Sequence, residues 1–185
     1  MAPIRDLWEN FHPKLSSYYK PGFELTVDEQ LVPFRGRCPF KIYNKSKPDK
    51  FGMVIYWIVD SNTNYPLRAI PYLGKYYLGR YFSLFSYTYL GKGHMSDGDG
   101  LATSLVKSLA KPFYGSSRNI TMDNFFTSKP LADFLLTKRI TIVGTVRSNK
   151  GMVPKEFVSK RNLGTCLYGY QHQHCSITFL SSKTE

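Results

Sequence analysis

The apolar residues near the start of the chain have the spacing of one helical face. These positions are Ile4, Leu7, Trp8, Phe11 and Leu15. Pro13 is expected to end the regular helix early, and the rings of Trp8 and Phe11 to anchor it in the core. Residues 24–31 then alternate between apolar and polar side chains, which predicts a β-strand.

The middle of the chain contains further β-prone runs. Residues 51–60 are almost wholly apolar, which predicts a strand buried on both faces. A turn over residues 61–64 leads to a third strand over residues 65–73. Because the connection is so short, we expect these strands to pair antiparallel.

Helices and strands alternate in the second half of the chain. One helix places Leu101, Leu105 and Leu109 on a single face, with Asp99 as a candidate cap and Pro112 as its end. A short strand over residues 118–123, a helix from Ser128 and a β-prone run over residues 140–147 follow, and residues 170–179 alternate as a further strand. This element order predicts an α/β fold with a ribonuclease-H-like mixed sheet flanked by helices.

The charge of the chain changes the functional picture. Its 185 residues suffice for one compact domain, and the formal net charge is +12, from 25 basic and 13 acidic residues. Such an excess favours nucleic acid as a partner ahead of an anionic membrane surface, with a merely soluble basic protein as the alternative. The longest apolar run, residues 53–59, is far shorter than the roughly 20 residues of a membrane span, so no membrane partner is expected.

Two aspartates stand near predicted strand ends. If the strands of Asp28 and Asp123 are neighbours, their carboxylates converge at one edge of the sheet. Carboxylate oxygens of this kind suit Mg²⁺, and paired ions promote phosphoryl transfer. On spacing alone, ordinary aspartates at strand ends or in turns remain the alternative.

A basic loop over residues 35–50 directly follows the first aspartate. Its cations are Arg35, Arg37, Lys41, Lys45, Lys47 and Lys50. They are candidates for gripping DNA phosphates, with Arg147 and Lys150 as a weaker second group. A solvated basic loop without a ligand is the alternative.

The cysteines and histidines carry weaker signals. The three cysteines, Cys38, Cys166 and Cys175, form no disulfide framework, which suits a reducing intracellular compartment. Cys38 and Cys166 are expected to be buried structural thiols. His172, His174 and Cys175 lack a second ligand cluster at usable spacing, so the histidines are expected to share one face of a strand rather than bind zinc.

Three blocks of sequence resemble the piggyBac-type transposase family and occur in the family's order. They are VDEQLVPFRGRCPFKIYNKSKPDKFG (27–52), RNITMDNFFTSKPLADFLL (118–136) and ITIVGTVRSNK (140–150). The resemblance implies that Asp28 and Asp123 are catalytic metal ligands for Mg²⁺ or Mn²⁺. It also implies DNA as the partner, a nuclear location, and a reaction that nicks a transposon end, forms a hairpin and rejoins DNA at TTAA.

The departures from the family qualify this expectation. The third aspartate of the family lies in a GGVD-like segment that nothing here matches, and Asp133, Glu156 and Glu185 lack that context. The family's cysteine-rich zinc-binding tail is also not matched. We therefore expect a sheet incomplete at the C-terminus, no catalysis by this chain alone, and a possible homodimer or complementation by a full-length transposase. A non-catalytic DNA-binding or chromatin-associated module and a non-functional relic are the alternatives.

The same blocks suggest a division of the chain. Residues 1–22 are a helical lead-in, residues 23–150 a partial transposase core, and residues 151–185 the start of a truncated β-rich region. Within the core, residues 74–92 are an expected insertion, because the tetrapeptide YLGK brackets an aromatic-rich stretch.

Overall fold

The computed structural model describes residues 5–73, 100–147, 153–158, 166–171 and 175–180. The chain divides into two compact units, Met1–Gly144 and Thr145–Glu185, called here the first and second units. The expected insertion over residues 74–92 lies outside the described residues. No helix in the described part of the chain is long and apolar enough to cross a membrane.

The first unit combines one mixed sheet with helices. In chain order, its elements are α1 (Arg5–Ser17), β1 (Glu24–Pro33), β2 (Ile42–Tyr43), β3 (Phe51–Asp60), β4 (Pro66–Pro71), α2 (Leu101–Ala110), β5 (Asn119–Met122), α3 (Lys129–Thr137) and β6 (Thr141–Gly144). A 3₁₀ turn, Lys111–Phe113, follows α2.

The strands of the first unit pair in the order β2-β3-β1-β5-β6, and β4 pairs with β3. The pairs β1–β3, β2–β3 and β3–β4 are antiparallel, whereas β1–β5 and β5–β6 are parallel. The prediction of a mixed α/β sheet flanked by helices is therefore confirmed.

The core lies between one face of the sheet and the helices α2 and α3. It includes Leu25 and Val27 of β1, together with Leu105 of α2 and Leu131 of α3, and all four side chains are fully buried. Strand alternation explains this burial, because every second residue of a strand points to the same face.

Strand β3 corrects the prediction of burial on both faces. Its residues alternate between buried and half-buried, so only the face carrying Val54, Tyr56 and Ile58 lies in the core. On the other face, Trp57 contacts Trp8 of α1 edge to face, with ring centroids 6.3 Å apart. The apolar run reflects partial cover by α1 rather than a second full core.

Helix α1 corrects two further predictions. It continues past Pro13 to Ser17, because its last turn is fixed from outside: Leu15 is buried, and its carbonyl accepts a hydrogen bond from Tyr65 Oη (3.1 Å). Phe11 is not a core anchor, since its side chain is 55% exposed.

The second unit contains a short helix, α4 (Lys155–Val158), and an antiparallel hairpin of β7 (Cys166–Gln171) and β8 (Cys175–Leu180). The prediction of a single strand over residues 170–179 was wrong, because the chain reverses direction between Gln171 and Cys175, which are paired. His172 and His174 lie outside the described residues.

Candidate metal and nucleic-acid site

The two aspartates singled out by sequence stand at matching positions on adjacent strands. Strands β1 and β5 are parallel, and their last paired residues are Val27 and Met122. Asp28 and Asp123 are the next residue in each chain. Because neighbouring strands lie about 5 Å apart, the two aspartates stand side by side at the point where β5 ends, whereas β1 continues to Pro33.

The alternation of the strands also gives both carboxylates access to solvent. Val27 and Met122 are buried in the core, whereas Asp28 and Asp123 are exposed. Asp28 is opposite Trp57 in the β1–β3 pairing, on the face away from α2 and α3. The sheet therefore presents two carboxylates where β5 ends and β1 continues.

Local hydrogen bonds hold each carboxylate by one oxygen. Asp28 Oδ1 accepts from the backbone N–H of Glu29 (2.8 Å). Asp123 Oδ1 accepts from the N–H groups of Phe125 (2.9 Å) and Phe126 (3.4 Å). The described residues make no hydrogen bond to the Oδ2 of either aspartate. One oxygen of each side chain is thus available to a ligand from solvent.

The turn after Asp123 is fixed by packing on the core. Phe126 is buried and contacts the Tyr56 ring edge to face (6.0 Å). Thr127 Oγ1 donates to the Asp123 carbonyl (2.7 Å). A Cβ atom at Gly144 on β6 would overlap Thr127 Oγ1, so glycine permits the close approach of this turn. These contacts set the position of Asp123.

The pair fits a divalent metal ion as a partial ligand set. Mg²⁺ and Mn²⁺ prefer oxygen ligands and commonly use one or two carboxylates, with water completing the coordination. Within the described ranges, no group of three or more His, Cys, Asp or Glu side chains could hold a metal ion. Asp28 and Asp123 would therefore supply two oxygen ligands and leave most coordination positions to other groups.

Asp28 lies in the middle of β1 rather than near its end as expected, because pairing with β3 extends the strand to Pro33, and the basic loop follows Pro33. Arg35, Lys41 and Lys50 line a groove of about 520 Å³, together with Pro33, Pro48, Asp49 and Phe51. Lys41 Nζ donates to the carbonyl oxygens of Gly36 (3.0 Å) and Arg35 (3.5 Å). The groove thus combines three cations with one acidic and several apolar side chains.

The other cations of the loop differ in their surroundings. Lys47 pairs with Glu29 of β1, with 3.2 Å between Nζ and Oε1, so part of its charge is compensated. Arg37 and Lys45 are exposed. The six cations of the loop therefore divide into a groove-lining group and a solvent-facing or ion-paired group.

The family of this chain is shown by its similarity to known proteins. A family model described as transposase IS4 matches residues 1–184. The chain belongs to this piggyBac-type transposase family. A solved structure, of the piggyBac transposase synaptic complex with hairpin DNA, is 42% identical and superposes with a TM-score of 0.77. That match covers 91% of this chain but 33% of the piggyBac chain, so this chain spans about a third of its length.

The resemblance seen in the sequence is thereby confirmed, and so is the agreement of the fold with a transposase catalytic domain. The transposase family is one that depends on divalent metal ions, which agrees with the chemistry of the two carboxylates. Which residues of this transposase-family chain carry activity stays a prediction.

The remaining candidate residues belong to the second unit, fall outside the described residues or are not part of a cluster. Arg147 belongs to the second unit and is exposed, while Lys150 lies outside the described residues, as does the expected pair of histidines. Cys38 is a half-buried free thiol.

Two structural features were missed by sequence reasoning. His12 is buried, and its Nε2 accepts a hydrogen bond from the Ala69 N–H (2.7 Å). Burial, with a contribution from the positive charge of Arg68, lowers the pKa of His12 to about 4. The second feature is the exposed ring of Phe51 in the groove. Neither had a sequence signal, because both depend on pairing between distant elements.

Proposed function

We propose that Asp28 and Asp123 are two ligands of a metal-dependent centre for DNA strand cleavage and transfer. The observation that carries the proposal is the parallel pairing of β1 with β5, which ends one residue before each aspartate. Membership of a transposase family supports the same assignment. Both aspartates are exposed, at the point where β5 ends beside β1.

The chain's own residues would hold and orient the reacting groups. When bound, Mg²⁺ or Mn²⁺ supplies charge neutralisation and activation of an oxygen nucleophile. The Oδ2 atoms of Asp28 and Asp123 would hold the ion, while the Glu29 and Phe125 N–H groups fix the rotation of the carboxylates. The cations of the basic loop would contact phosphates and set the register of the DNA.

We further propose that catalysis requires a third ligand in addition to Asp28 and Asp123. Two carboxylates leave the geometry of the ions poorly defined, and misplacement of about 1 Å can cost 100-fold in rate. A full-length transposase or a second copy of this chain is a candidate source of that ligand. The proposed location, for a DNA-dependent reaction, is the nucleus.

A cleavage assay tests this function. DNA carrying transposon ends is incubated with the chain in Mg²⁺ or Mn²⁺, with and without an inactive full-length family member that retains its third aspartate. We expect strand cleavage only in the mixture and its loss with Asp28→Asn or Asp123→Asn. Asp133→Asn, which alters a surface ion pair with Lys129, is the matched control. Cleavage that survives Asp28→Asn would contradict the assignment.

A second candidate function is non-catalytic DNA binding. It is favoured by the groove lined by Arg35, Lys41 and Lys50 and by the net charge of +12. Contacts with about three to six phosphates would make the logarithm of the affinity fall with that of the salt concentration, with a slope of about −3 to −5. Affinity that does not change between low and moderate salt would exclude this function.

A further inference from the structure

An exposed pair of aromatic rings lies beside the groove of the basic loop. Tyr43 of β2 is paired with Phe51 of β3, and their ring centroids are 5.0 Å apart. The side chains are 57% and 49% exposed, respectively. Cross-strand aromatic pairs usually cover each other or a core, but here both rings keep a large open surface.

Cations surround the Phe51 ring. Lys41 Nζ lies 5.7 Å from its centroid, within reach of a cation–π interaction. The backbone carbonyls of Arg35 and Gly36 hold this ammonium group in place. Arg35 and Lys50 line the same groove as the ring. A flat apolar surface is therefore bordered by three positive charges.

The backbone beneath the rings is held firmly. The Phe51 carbonyl accepts from Phe34 N (3.2 Å), and the Lys50 carbonyl accepts from Asn44 N (2.8 Å). A Cβ atom at Gly52 would overlap the Val32 carbonyl oxygen, so β3 approaches β1 closely just after Phe51. The backbone that carries Phe51 is thus fixed against the neighbouring strands.

We propose that this groove binds an unpaired nucleotide, whose base stacks on Phe51 and whose phosphates contact Arg35, Lys41 and Lys50. This inference rests on the DNA-binding function proposed above and adds to it a preference for unpaired nucleotides. Bases inside a duplex stack on one another, so an exposed ring is of use only for a base that has left the helix. Asp49, also in the groove, is an acceptor for an exocyclic amino group of that base.

The position of the groove determines how far the unpaired nucleotide lies from the two carboxylates. Pro33, which lines the groove, is five residues beyond Asp28 on the same strand. At about 3.3 Å per residue, this separation is roughly 17 Å. Because a DNA strand rises about 3.4 Å per stacked nucleotide and extends further when unstacked, the bound base lies about three to five nucleotides from the metal ligands.

The test compares two fluorescent DNAs bound by the whole 185-residue chain. One is a duplex, and the other is the same duplex ending in a hairpin with unpaired loop nucleotides. Phe51→Leu keeps apolar bulk but removes the ring, and Phe51→Tyr keeps the ring. Since base stacking on an aromatic side chain is a substantial part of single-strand affinity, we expect Phe51→Leu to weaken hairpin binding about tenfold and duplex binding less than about twofold. Phe51→Tyr should bind both DNAs normally.

A second readout reports stacking directly. The fluorescence of 2-aminopurine in the loop should be quenched by the unsubstituted chain and remain unquenched with Phe51→Leu. If circular dichroism shows that Phe51→Leu does not fold, Tyr43→Leu is used in its place. Tyr43→Leu should also weaken hairpin binding more than duplex binding, but by a smaller factor. Equal effects on both DNAs, or no effect on either, would overturn the stacking site alone. Failure of the unsubstituted chain to bind either DNA would overturn the proposed function as well.

Discussion

Replacing Asp60 by Asn should destabilise the first unit strongly, although the two side chains have nearly the same shape. Asp60 ends β3 and is only 1% exposed. Its Oδ2 accepts from Gly22 N (2.6 Å), and its Oδ1 accepts from Asn62 N (2.9 Å) and Thr63 N (3.1 Å). The carboxylate therefore ties the β3–β4 turn to the segment that leads into β1.

The magnitude follows from these three contacts. In Asp60→Asn, one oxygen can still accept from the turn, but an NH₂ group then faces the Gly22 N–H. A hydrogen bond to a charged group contributes about 1.5–3 kcal/mol, and an unsatisfied buried donor costs about 1–3 kcal/mol. Allowing for relaxation, we expect a loss of about 2–4 kcal/mol in the free energy of unfolding.

Urea unfolding followed by circular dichroism measures this loss. With an m value of about 2 kcal/mol/M, the midpoint should fall by about 1–2 M. Asp133→Asn is the control, because its partly exposed ion pair with Lys129 (2.6 Å) should contribute only about 0.3–0.5 kcal/mol. A midpoint for Asp60→Asn equal to that of Asp133→Asn would refute the reasoning.

The pH dependence gives an internal check on Asp60. Hydrogen bonds from the Gly22 N–H and the turn hold the pKa of Asp60 below its usual value, despite burial. A lowered folded-state pKa means that the carboxylate stabilises the fold above the unfolded-state pKa of about 3.9. This stability is lost as the pH falls through the folded-state pKa. The difference in the free energy of unfolding between the unsubstituted chain and Asp60→Asn should therefore become smaller below about pH 4.

Two further substitutions test the packing around the site. The pKa of His12 is lowered to about 4, mainly by burial, so protonation opposes folding and stability should fall by about 2 kcal/mol between pH 7 and about pH 4.5. In urea titrations at the two pH values, the stability of His12→Gln should fall by about 2 kcal/mol less than that of the unsubstituted chain. An equal fall in both proteins would contradict this role of His12. Gly52→Ala should cost about 1–3 kcal/mol, because the added Cβ overlaps the Val32 carbonyl oxygen. Gly100→Ala, whose Cβ meets open space, is the control in thermal unfolding, and an equal loss there would contradict the packing argument.

Much of the first unit could be predicted because its pattern is local. The alternation in residues 24–31 predicts β1, and the helix expected to begin at Ser128 is α3, so the structure places both elements where expected. The end of α1 could not be predicted, because the contact of Tyr65 with the Leu15 carbonyl joins residues 50 positions apart. Local helix-breaking by Pro13 is outweighed by that tertiary contact.

The residue types of the candidate site could be predicted from the sequence, but the arrangement of its side chains could not. The resemblance to the piggyBac-type family indicated Asp28 and Asp123 as candidate metal ligands, and the pairing of β1 with β5 then placed them at matching positions. The ring pair of Tyr43 and Phe51 was not predictable, because its exposure depends on the register of β2 against β3. The sequence likewise did not distinguish Asp60, a buried structural carboxylate, from the two exposed ones.

Binding of Mn²⁺, followed by electron paramagnetic resonance of the free ion, tests the shared metal site most directly. The 185-residue chain should bind Mn²⁺, and Asp28→Asn and Asp123→Asn should each remove that binding, because each deletes one of two oxygen ligands. Asp133→Asn should bind as the unsubstituted chain does. Mn²⁺ binding that is unchanged by both Asp28→Asn and Asp123→Asn would contradict the account.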